Sequence, residues 1–150
     1  MKMLLGIGNT LRRDDGAGNY IAHRMKETDW TAVDCGTVPE NFTSVVRRNH
    51  PALLVFVDAS RMGLSPGEFR RVGKEEIEDV SIGTHSLPLS HLIDFLADAA
   101  EEILFIGIEP EIVADGEGLS ESVVEGAERL IEMLKKERVF DIEQLSLTRR

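Results

Sequence analysis

Three runs of the chain are apolar at almost every position: Met3 to Gly8, Ala52 to Val57 and Ile103 to Ile108. Runs of this length without alternation fit strands covered on both faces, as in the centre of a parallel sheet. Between them the period changes. Ala17, Tyr20, Ile21 and Met25 recur at helical spacing and predict a helix from Gly16 to Thr28. Leu89, Leu92, Ile93, Leu96 and Ala100 predict another. Val123, Ala127, Leu130, Ile131 and Leu134 predict the last, with Ser122 and Glu125 at capping-box spacing. Pro39-Glu40-Asn41 opens a further helix with Asn41 as N-cap and Phe42, Val45 and Val46 as its apolar face. Thr31 to Asp34 reads as a short strand and Glu68 to Val72 as a polar edge strand. Lys74 to Ile82 has little periodicity and reads as a short helix and loop.

Strands that alternate with helices predict a three-layer α/β/α sandwich around a twisted, mostly parallel sheet of about five strands. The three apolar runs are its expected central strands. The length of 150 residues suits one domain, residues 1–150, with a loosely held tail from about Phe140 to Arg150.

Charge narrows the partners. With 17 Lys+Arg against 27 Asp+Glu the net charge is -10, and no basic stripe is interleaved with aromatics. That argues against a nucleic-acid partner and favours metal cations or basic peptides. The single cysteine, Cys35, rules out an intrachain disulfide and suits the cytoplasm. The N-terminal apolar stretch is too short for a signal peptide, and no run approaches the ~20 residues of a membrane helix, so no membrane insertion is expected.

In a parallel sheet the carboxyl ends of all strands share one edge, where ligands bind. Three polar residues fall there: Asp15 after the first strand, Asp58 at the end of the Ala52–Val57 strand, and His85 in a loop before a helix. Two carboxylates and one imidazole make a divalent-cation site with open positions, suited to nickel, zinc, manganese or iron(II). An Asp before a helix is also a common N-cap, so the Asp14-Asp15 pair has two readings.

Other candidates are weaker. Gly6-Ile7-Gly8 begins like a dinucleotide fingerprint, but Leu11 stands where the third glycine is needed. Cys35 has no evident histidine partner and reads as a half-buried free thiol. His23, His50 and His91 read as non-catalytic. A response-regulator-like phosphoacceptor domain is the alternative function, on the strength of the acidic pair and Asp58. It lacks the lysine such domains place before the proline after the last strand, where this chain has Glu109-Pro110.

An ordered series of motifs carries a closer likeness. Gly6-Ile7-Gly8-Asn9, Asp14-Asp15-Gly16-Ala17-Gly18, Pro39-Glu40-Asn41, Val57-Asp58-Ala59, Met62-Gly63-Leu64 with Pro66-Gly67-Glu68, Thr84-His85 with Pro88-Leu89, and Leu104 to Pro110 occur in this order. Together they resemble the nickel-iron hydrogenase maturation endopeptidases, and most of all the branch that processes the large subunit of hydrogenase 3. The likeness runs from residue 3 to about 135. It implies an aspartyl-type endopeptidase that removes a C-terminal peptide from a nickel-iron hydrogenase large-subunit precursor after nickel insertion. It also implies that Asp15, Asp58 and His85 are the metal-binding and catalytic residues, with nickel carried by the substrate and not permanently bound. Asp14 keeps the helix-cap role. Many members have Asp-Gly-Gly-Thr where this chain has Asp34-Cys35-Gly36-Thr37.

Overall fold

The computed structural model describes residues 1–83 and 85–146. The elements run β1 (Lys2–Gly6), α1 (Ala17–Met25), β2 (Thr31–Asp34), α2 (Thr43–Asn49), β3 (Leu53–Ala59), β4 (Phe69–Arg71), α3 (Ile77–Val80), α4 (Leu89–Phe95), β5 (Glu102–Ile108) and α5 (Glu121–Lys135). The sheet order is β2-β1-β3-β5-β4. All neighbours pair in parallel except β4, which runs antiparallel on the outside of β5. The three apolar runs are therefore the three inner strands, and the polar Glu68–Val72 stretch is an edge, as expected.

The uninterrupted apolar runs have a direct cause. Side chains alternate across a strand, and both faces of this sheet are covered. Met3, Leu5, Leu54, Phe56 and Phe105 pack on one side with Val46 of α2, Ile77 of α3 and Leu89 and Leu92 of α4. Leu4, Val55, Val57, Ile106 and Ile108 pack on the other with Ile21 and Met25 of α1 and Val123, Leu130 and Leu134 of α5. This is the expected three-layer arrangement.

Gly6 and Gly18 let α1 lie unusually close to the sheet. A Cβ on Gly18 would come 2.3 Å from the Ile7 carbonyl oxygen and 2.5 Å from that of Val57. A Cβ on Gly6 would come 2.2 Å from the Gly18 oxygen. The first glycines thus serve helix–strand contact, which presses the first loop over the carboxyl end of β1.

Several local expectations change. The helix expected over Gly16–Thr28 is shorter, with a 3-10 turn, Arg13–Gly16, in front of it. Neither that turn nor α1 has a side-chain cap, so Asp14 is not the helix cap. Asn41 is not an N-cap either: a 3-10 turn over Pro39–Phe42 precedes α2. The capping box at Ser122 does not form, because α5 begins at Glu121 and the Ser122 hydroxyl donates to Glu111 instead, at 2.7 Å. The tail is not loose as far as it is described. Val139, Ile142 and Leu145 are buried, and the Leu145 N–H donates to the Arg71 oxygen at 2.7 Å. Amphipathic spacing too short for an α-helix hid this strap; residues 147–150 lie outside the described part.

Candidate active site

Each of the three sequence candidates is delivered by a different element. Asp15 sits in the 3-10 turn between β1 and α1. Asp58 is the penultimate residue of β3. His85 lies in the loop between α3 and α4. They meet at a small cavity of about 40 Å3, whose other walls are Ile7, Gly8, Thr37 and Gly83. Among the described residues, no three His, Cys, Asp or Glu side chains converge tightly enough to form a finished metal-ion site. The arrangement is an open one: three donors around a space that admits an ion or a water molecule.

The electrostatics of the cavity favour an incoming cation. Asp58 is 3% exposed. Burial first, and then the Asp15 charge, push its carboxyl well above the ordinary carboxylate range, against an opposing contribution from the Ala59 N–H. Burial also raises Asp15, with the Asn9 N–H, Arg12 and His85 pulling it down less strongly. Both imidazole nitrogens of His85 are buried and have no hydrogen-bond partner among the described residues. Two carboxyls that resist ionising together, and an imidazole with nothing to bind, are both relieved by one dication.

Asp14 has a separate task that the sequence did not reveal. It is fully buried, and its Oδ2 accepts the N–H groups of Glu111 at 2.9 Å and Ile112 at 2.8 Å and the Ser120 hydroxyl at 2.7 Å. Its Oδ1 accepts the Ser120 N–H at 2.7 Å. Burial alone would raise this carboxyl, but these donors outweigh it and hold Asp14 below the ordinary range. The carboxylate ties the first loop to the loop after β5, and so fixes the turn carrying Asp15.

Glu109, also missed, does similar work on the next loop. It is buried, and its Oε1 accepts the N–H of Met62 at 2.7 Å and of Leu64 at 3.2 Å. A position that in a phosphoacceptor domain would hold a cation here holds an anion engaged with backbone donors.

The Asp34-Cys35-Gly36-Thr37 turn closes normally. Asp34 Oδ1 accepts the Gly36 N–H at 2.9 Å and the Asn19 amide at 2.7 Å, while Oδ2 meets His23 Nε2 at 2.9 Å. Cys35 is 2% exposed, more buried than expected. Burial, then the neighbouring Asp34 charge, pushes its thiol up to about 12, which removes it as a nucleophile. His50 and His91 are outside the cavity lining, as is His23.

Comparison with known proteins bears on this cavity. The family model for hydrogenase maturation proteases, HycI, matches residues 17–137, a span that includes Asp58 and His85 and starts two residues after Asp15. The hydrogenase 3 maturation protease of Escherichia coli (strain K12) is 34% identical over 137 residues, covering 89% of this chain and 88% of its own. The solution structure of the endopeptidase HycI from Escherichia coli superposes with a TM-score of 0.88 at 33% identity, over 100% of both chains. The [NiFe] hydrogenase maturation protease HycI from Thermococcus kodakarensis KOD1 gives 0.79 at 33% identity, covering 91% of this chain and 90% of its own. These similarities do not favour the phosphoacceptor alternative. The chain belongs to the hydrogenase maturation protease family and is a hydrolase acting on peptide bonds.

Proposed function

We propose that this endopeptidase removes a C-terminal peptide from the large-subunit precursor of a nickel-iron hydrogenase, and that it reads the nickel already seated in that precursor. One observation carries the reading. Asp15, Asp58 and His85 line a single cavity in which both imidazole nitrogens are unpartnered and the carboxyls are held above their ordinary values. With both carboxyls ionised, such a site would need one dication to balance it.

Nickel arriving with the substrate would pull both aspartates into their ionised form and accept one nitrogen of neutral His85. The open donor set suits an ion that comes and leaves with its carrier. The scissile carbonyl would be held next to the metal, whose positive charge stabilises the oxyanion that develops there. A carboxylate of the pair takes the proton of the attacking water. The precursor is a cytoplasmic assembly intermediate in this reading. The described helices agree with that in one respect: none is long and apolar enough to cross a membrane.

The test is incubation of purified protein with nickel-loaded and nickel-free precursor, with the products weighed by mass spectrometry. Cleavage confined to the loaded precursor is expected. Equal cleavage of both would sink nickel recognition, and intact loaded precursor would sink the substrate assignment.

A further inference from the structure

We infer that the groove beside the first loop holds the precursor's C-terminal extension, the segment that follows the scissile bond. This rests on the reading of Asp15, Asp58 and His85 given above. A cavity of about 40 Å3 admits an ion or a water molecule but not the side chains of a bound peptide. The chain on either side of the bond therefore lies outside it. On one side is a mostly apolar groove of about 440 Å3, with Thr10, Arg13, Asn19, Tyr20, Leu119 and Val124 among its walls. The groove and the cavity are one residue apart. Gly8 lines the cavity, and Asn19, which lines the groove, sits so near Gly8 that a Cβ there would be 2.5 Å from its Oδ1.

The groove offers what an extended peptide needs. Tyr20, Leu119 and Val124 supply apolar wall for its side chains. Arg13 supplies donors for its main-chain carbonyls: Nε is spent on the Gly118 oxygen at 2.8 Å, while the remaining guanidinium nitrogens have no acceptor among the described residues. Arg13 reaches that position with φ 51, a left-handed backbone that a non-glycine residue adopts at a cost. Its N–H on the Gly116 oxygen, at 2.9 Å, holds it there.

A second hollow, of about 310 Å3, shares His85 and Gly83 with the cavity and has Glu78 and Ser81 in its wall. The Glu78 carboxylate is already bonded to Ser90 and offers peptide carbonyls no donor, and the Ser81 hydroxyl, unpartnered among the described residues, is buried away from the hollow's surface. If the precursor is nickel-loaded, as proposed above, the segment before the scissile bond is tethered to the subunit that carries the nickel. The extension is the chain end free to enter a groove, and the groove with a guanidinium is the one that suits it.

Binding and cleavage test this together. Isotope-labelled protein is titrated with a synthetic peptide spanning the residues after the scissile bond. The amides of Thr10, Tyr20, Leu119 and Val124 should shift. Val124→Trp, which fills the groove, should weaken peptide binding about tenfold and lower kcat/KM on nickel-loaded precursor by about as much, mainly through KM. Leu119→Arg blocks the opposite wall and serves if Val124→Trp fails to give a native amide spectrum. Shifts confined to Glu78, Ser81 and Leu89, or unchanged kinetics in the folded variants, overturn the inference. Asp58→Asn separates it from the site reading. An inactive Asp58→Asn that still binds peptide in the groove supports both, and one without groove binding overturns the groove alone. An active Asp58→Asn overturns the site alone.

Discussion

Replacing Asp14 should destabilise the protein far more than replacing its neighbour Asp15, because the two carboxylates do different jobs. Asp14 accepts four hydrogen bonds at 2.7–2.9 Å from Glu111, Ile112 and Ser120 while fully buried. A hydrogen bond to a charged group contributes about 1.5–3 kcal/mol. The four share one acceptor and do not add, and the 111–120 loop can turn some donors toward water. Asp14→Ala should therefore cost about 3–5 kcal/mol, out of a total stability on the order of 5–15 kcal/mol. At about 2–4 °C per kcal/mol for a chain of this size, Tm should fall by roughly 10 °C. Asp14→Asn should be nearly as damaging, since its NH2 faces N–H donors whichever way the amide turns. Urea unfolding followed by circular dichroism measures the loss, and amide exchange should quicken at Glu111, Ile112 and Ser120. The pH dependence gives a second check. The folded Asp14 value lies below the ordinary 3.8, so between the two values the unfolded chain binds more protons. Wild type should hold its full advantage over Asp14→Asn above the ordinary value and lose it as pH falls through the folded one. A loss under about 1 kcal/mol, or an advantage that does not shrink in acid, would refute the staple.

Asp58→Asn should behave in the opposite sense. Its folded value is raised, so its contribution is complete below the ordinary value and is lost as pH rises through the folded one; at neutral pH the variant should melt at or above wild type while cleavage falls about a hundredfold or more. A lower Tm with cleavage intact would contradict that. Gly18→Ala should cost about 3 kcal/mol, because its Cβ meets backbone oxygens of both β1's flank and β3 at 2.3 and 2.5 Å; unchanged urea unfolding would show that α1 can lift freely. Cys35→Ala should leave cleavage at wild-type rate, and the native thiol, raised to about 12 and 2% exposed, should resist alkylation at neutral pH; rapid labelling with loss of activity would argue for a reactive cysteine.

The parts of this molecule that were legible in the sequence are those where one residue's environment is set by the sheet itself. Met3–Gly8, Ala52–Val57 and Ile103–Ile108 read as inner strands because each is apolar on both faces, too short for a buried helix and flanked by polar or turn-forming residues. Once they were parallel, Asp15, Asp58 and a later loop had to share an edge. What stayed hidden depends on contacts between loops, which leave no period behind. Asp14 looks like a cap in the sequence because capping is the local use of an Asp before a helix. Its real donors lie about a hundred residues away, at Glu111, Ile112 and Ser120. Glu109 is the same kind of case, with donors at Met62 and Leu64. Both carboxylates anchor loops through backbone N–H groups, which every residue type but proline can supply, so neither partner announces itself. The division between the adjacent aspartates follows from this. Four donors keep Asp14 ionised and committed to the fold, whereas Asp15, raised by burial and facing another carboxyl, is the one left free for the cation that the proposed function calls for.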